Sequence, residues 1–184
     1  MRLRPLTPDE LDDDQRTLYD AITSGSRSTG PQPFRLTGDD GALTGPFNAM
    51  LLNPAIGDAL QRLGAAIRYS GRLTARCREI AILAVAAHWQ CGFEQRAHEA
   101  VGSHVGLSDA ELAAVRECRD LELSDATEAA VLVTTRHLLE DGDLDDRSYS
   151  AAAHALGTEQ LFELNALVGY YSLLAMQLRV FRVP

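Results

Sequence analysis

Residues Glu79-Ile-Ala-Ile-Leu-Ala-Val-Ala-Ala-His-Trp-Gln-Cys-Gly-Phe-Glu-Gln-Arg-Ala-His98 decide the reading of this chain. An apolar helical run carries one carboxylate, Glu79, near its start and reaches a break at Cys91-Gly92. A second helix begins there, with Cys91, Glu94 and His98 spaced by three and four residues. At helical spacing these three side chains lie within roughly 60° of one another, on one face. A thiol, a carboxylate and an imidazole on one stripe can move protons, so this is where chemistry is expected.

The rest of the 184 residues supports an all-α fold. Hydrophobic residues make up 46% and aromatic residues only 6%. Alanine and leucine dominate over β-branched runs, a balance that favours helix over sheet. Helix starts recur along the chain. Thr7-Pro8-Asp9-Glu10 opens a helix to about Ile22, Asn53-Pro54 one to about Ser70, and Thr74 the Glu79 helix. Ser108 to Glu111 caps a helix through about Cys118, and further helices are expected over about 125–140, 145–156 and 159–178. Gly45-Pro46-Phe47 enters a short helical turn, and residues 23–33, rich in Ser, Gly and Pro, read as a loop or an ordered arm. The expectation is one domain over 1–184, with an N-terminal arm of about 1–44 and a core of about 45–178.

Composition bounds the function. The formal net charge of −9, without any basic cluster, argues against nucleic acid as partner. No uninterrupted apolar stretch is long enough for a membrane span, and the N-terminus lacks a secretory apolar segment. A cytoplasmic protein acting on a small molecule is expected. Cys77, Cys91 and Cys118 form neither a Cys-x-x-Cys nor a zinc spacing, so no metal site is expected. The acidic runs at 12–14 and 143–146 read as solvated helix starts.

Thr74-x-x-x-x-Glu79-Ile recurs 84 positions later as Thr158-x-x-x-x-Glu163-Leu, which suggests a degenerate internal repeat. In the second copy Ala175, Leu178 and Arg182 fall where Cys91, Glu94 and His98 stand in the first.

Several ordered motifs resemble the carboxymuconolactone decarboxylase family, which includes the AhpD-like alkylhydroperoxidases. These are Leu73-Thr74, Arg78-Glu79-Ile80-Ala81-Ile82-Leu83, Phe93-Glu94-x-x-x-His98, Gly106-Leu107-Ser108, Gly45 to Leu51 with Asn53-Pro54, and Leu167-Val168-Gly169-Tyr170-Tyr171. The resemblance implies an all-helical subunit in trimers or hexamers, a site near a subunit interface and no bound cofactor. In the peroxidase branch a Cys-x-x-Cys pair does redox work with an upstream Glu and a downstream His. Glu79, Cys91 and His98 occupy three of those positions, but Glu94 replaces the second cysteine, removing the thiol that would resolve a sulfenic acid. The decarboxylase branch is closer to this Glu-x-x-x-His pattern.

Each candidate carries a bland alternative. His98, paired with Glu94 at i+4, is either the acid–base residue or half of a surface Glu–His pair. Glu94 near a helix start is either half of that acid–base pair or a simple complement to the helix dipole. Glu79 in an apolar run is a proton relay or an ion pair with Arg76 or Arg78. Cys91 at a helix N-terminus is a nucleophile or a small core residue. Arg72, Arg76 and Arg96 are the nearest cations for a substrate carboxylate, and a solvated helix face explains them equally. Trp89 and Phe93 line a pocket or fill the core. Three functions follow: a cofactor-independent decarboxylase or proton-transfer enzyme, a thiol peroxidase using Cys91, or a non-catalytic helical binding protein.

Overall fold

The computed structural model describes residues 2–25 and 35–183. Among these the protein is all-α, with eight helices and no strand beyond an isolated bridge between Thr37 and Leu43. Of the expected loop over 23–33, Thr23 closes the first helix and residues 26–33 lie outside the described residues. Backbone packing groups the chain into two units, residues 1–70 with 176–184 and residues 71–175.

The first unit holds α1 (Asp13–Thr23), α2 (Pro46–Met50) and α3 (Pro54–Tyr69). The single helix expected from Thr7 is broken. The Glu10 carboxylate accepts from both the N–H and the hydroxyl of Thr7, which closes only the 3-10 turn Pro8–Glu10. Leu11 is extended, and Asp12 starts α1 afresh in a reciprocal cap with Gln15. Two capping signals five residues apart compete, and the second carries the helix. The Asn48 side chain accepts from the Leu6 N–H and donates to the Arg4 carbonyl, fastening the N-terminal arm to α2. Gly45, at φ 58°, turns the chain into α2 as only glycine does without strain. The Asn53 side chain caps α3 by accepting from the Ile56 N–H.

The second unit is organised around α4 (Ala75–His88). It packs against α5 (Gly92–His104), α6 (Asp109–Arg116) and α7 (Ala126–Glu140). Residues Glu79 to Ala86 are all buried, so α4 shows no solvent face over two turns. A helix surrounded by other helices has this pattern, and its alanines let neighbours approach closely. Thr74 caps α4 through the Cys77 N–H, and Ser108 and Glu111 form the capping box of α6.

The last helix, α8 (Asp146–Phe181), is broken at Gly157, whose φ of 75° and ψ of 159° end one helical segment and begin the next. This is the two-helix reading punctuated by glycine. The echo glutamates do different work. Glu163 accepts the backbone N–H groups of Arg72 (2.6 Å) and Leu73 (3.2 Å), clasping the segment that leads into α4. Gln160 donates to the Arg72 carbonyl, and Arg72 pairs with Glu159 at 2.5 Å.

Candidate active site

Helix α5 folds back on α4 through a tight turn at Trp89-Gln90-Cys91. Gln90 takes a left-handed φ of 50°, and the Cys91 N–H donates to the Ala86 carbonyl. This return brings residues 19 apart together: His98 Nδ1 lies 2.7 Å from Glu79 Oε2. Glu79 is 1% exposed and His98 5%. Isolated burial of either group would be expensive, and the pairing offsets that cost.

The pairing corrects two expectations. His98 is held by Glu79 from the facing helix, not by Glu94 one turn away on its own helix. Glu79 in turn is held by the imidazole, not by Arg76 or Arg78. The reason is geometric: Glu79 is buried on α4, and the return of α5 lays the His98 ring against it.

Glu94 is 3% exposed, and its Oε2 has no hydrogen-bond partner among the described residues. Burial pushes its pKa from 4.5 up to about 8, so the carboxyl stays protonated at neutral pH. The two buried carboxyl groups are thus placed in opposite circumstances: one faces an imidazole, the other faces no charge that offsets its burial.

Cys91 is the N-cap residue of α5 and is 3% exposed. The stripe Cys91–Glu94–His98 therefore faces inward as a whole. Tyr171 of α8, also buried, stands edge to face with His98, with ring centroids 5.2 Å apart and planes at 88°.

The expected substrate cations are placed differently. Arg76 is engaged by Glu128 (2.7 Å) and Glu111 (2.8 Å) and also donates to the Gly106 carbonyl. Those two carboxylates raise its pKa further, and the cluster ties α4 to α6 and α7. Arg76 is thereby part of a structural ion-pair cluster. Arg72 is exposed and paired with Glu159, and Arg96 is exposed. Arg78, half-buried, has a buried Nε without a hydrogen-bond partner among the described residues. In the sequence an Arg beside a Glu reads as an ion pair, so no local signal marks Arg78 as a separate candidate. Trp89 and Phe93 are half-buried, and Trp89 stacks edge-on with its neighbour His88.

Two cavities of the second unit lie elsewhere. One of about 340 Å³ is lined by Leu138, Leu144, Tyr149, Leu161 and Phe162 among others. A smaller one of about 130 Å³ includes His88, Cys118, Arg136 and Glu140.

Comparison with curated proteins gives no match. The model of the carboxymuconolactone decarboxylase family matches residues 54–136, a segment that contains Glu79, Cys91, Glu94 and His98. This is the family that the Arg78-Glu79 and Phe93-Glu94-x-x-x-His98 motifs resemble, and the all-helical architecture agrees with it. Residues 54–136 of this chain are thus similar to the carboxymuconolactone decarboxylase family.

Proposed function

We propose that the protein is a cofactor-independent enzyme of acid–base chemistry, a lyase that decarboxylates a small carboxylated lactone or performs a related proton transfer. The observation that carries this reading is the buried Glu79–His98 contact at 2.7 Å, with a second buried carboxyl, Glu94, kept protonated one helical turn from His98. A carboxylate beside Nδ1 orients the ring, and Nε2 is the nitrogen assigned to proton transfer.

In the decarboxylation, the bond between the substrate carboxylate and its carbon breaks, and carbon dioxide leaves. The electron pair passes into the conjugated carbonyl, whose oxygen is stabilised by a hydrogen bond from the protonated Glu94. The imidazolium of His98 then gives its Nε2 proton to the carbanionic carbon and is reprotonated from solvent. Positioned proton donors of this kind are worth roughly 10²–10⁴-fold in rate. Arg78, whose Nε lacks a hydrogen-bond partner among the described residues, is the cation best suited to the substrate carboxylate. In this proposal the enzyme is a cytoplasmic homo-oligomer, trimeric or hexameric, and the site opens where subunits meet.

A second reading, a non-catalytic helical binding protein, is supported by the depth of burial of all four residues. Measurement of carbon dioxide release from small lactones and vinylogous acids separates the two. The enzyme reading expects turnover that is lost in a folded His98→Ala variant. Turnover unchanged by that substitution ends it.

A further inference from the structure

We propose that the cavity beside the Gly157 break is a second binding site, for a small hydrophobic amine. Its aromatic lining takes the apolar body of the ligand, and Asp143 takes the ammonium. The proposal is independent of the acid–base reading, and none of Glu79, Cys91, Glu94 or His98 lines this cavity.

The break in α8 makes the site. Along an unbroken α-helix Tyr149 and Phe162, 13 positions apart, would stand about 20 Å apart and roughly 140° around the axis from each other. Gly157 redirects the chain at a φ of 75°, which favours glycine. Both rings therefore line one cavity of about 340 Å³, together with Leu138, Leu144 and Leu161. That volume is at the small end of the roughly 300–1,000 Å³ of ligand pockets, which suits a molecule of one or two rings. The two rings are not consumed by the core: Phe162 is 77% exposed and Tyr149 50%. Exposed apolar side chains grouped around a hollow are the usual mark of a binding surface.

The polar lining selects the charge. Asp143 accepts the Leu144 N–H at Oδ1, and its Oδ2 has no partner among the described residues. It stands among five carboxylates between Glu140 and Asp146, with Arg147 and His137 as the flanking bases. Asp145 is engaged by the Ser148 N–H, and Asp143 is the carboxylate that lines the cavity. An anion is repelled by such a rim and a cation is drawn to it. The faces of Tyr149 and Phe162 add to that preference, because aromatic rings attract an ammonium. Thr158 and Asn165 also line the cavity, and their side chains make no hydrogen bond among the described residues.

The test uses the full chain and three probes of similar size: 2-phenylethylamine, neutral 2-phenylethanol and anionic phenylacetate. Amide chemical shifts locate each probe, and titration gives its affinity. The amine should shift residues around Tyr149 and Phe162 and bind about fivefold tighter than the alcohol, with phenylacetate weakest. Asp143→Asn should bring the amine down to the alcohol, and Phe162→Ala should weaken both by about fivefold. Both side chains are exposed, so these variants should fold, which thermal melts check. The proposal is overturned if amine and phenylacetate bind alike, if Asp143→Asn leaves the preference intact, or if the shifts fall around His98. It is overturned equally if no probe binds wild-type protein at millimolar concentration. In that event a change of oligomer size in Phe162→Ala, read by sedimentation, assigns the face to a second copy of the chain.

Discussion

Replacing Glu94 with Gln should remove a pH dependence of stability that the wild-type protein carries. The Glu94 carboxyl rises from 4.5 in the unfolded chain to about 8 in the folded protein, through burial alone. Between those values the unfolded state has released its proton and the folded state has kept it, so stability falls as pH rises. The slope approaches about 1.4 kcal/mol per pH unit, which gives about 3 kcal/mol by pH 7 and roughly 5 kcal/mol above pH 8. Below 4.5 the group contributes no pH dependence. A buried glutamine amide has its own desolvation cost, about 1–3 kcal/mol, but that cost does not change with pH. Urea unfolding at several pH values from 4.5 to 8.5, at one protein concentration, gives the difference between variant and wild type. That difference should grow in favour of Glu94→Gln as pH rises. A difference that stays constant across the range would show that Glu94 is ionised in the folded protein, and the acid assigned to this site would be lost.

The remaining predictions concern groups outside the pair. Arg76→Ala should destabilise the protein by about 2 kcal/mol, since it strands Glu128 and Glu111 in a partly buried cluster, yet leave KM for any substrate within twofold of wild type by about the same assay error. Glu163→Ala should cost about 1–3 kcal/mol and speed hydrogen exchange at the Arg72 and Leu73 amides, whose acceptor it removes. On brief peroxide or alkylating treatment of native protein, mass spectrometry should find Cys118 modified first, because it is exposed while Cys77 and Cys91 are buried and burial pushes the Cys77 thiol up. Selective oxidation of Cys91 would favour the thiol peroxidase reading instead.

Much of the fold was legible because helix starts are written locally. Asn53-Pro54, Thr74 and Ser108 with Glu111 each announce a helix that the structure contains. The break at Leu11 was harder, since Thr7 with Glu10 and Asp12 with Gln15 are equally good caps and only packing chooses between them. The four residues of the site were also visible as types in a pattern. Their partners were not. An i+4 spacing pairs Glu94 with His98 on paper, but sequence does not reveal that α4 lays Glu79 against the same ring from across a helix interface. Arg76 finds Glu128 from 52 positions away, and Tyr171 reaches His98 from 73. Such contacts are products of helix packing, which no local signal encodes.

The account turns on whether His98, with Glu79 behind it, moves a proton. The most direct measurement compares wild-type protein with a folded His98→Ala variant for carbon dioxide release and solvent deuterium uptake across small lactones and vinylogous acids. The wild type should turn over at least one of them, and the variant should be slower by roughly 10²–10⁴-fold. Equal rates in the two proteins would contradict it, as would a wild type inert toward every compound while it consumes peroxide through Cys91.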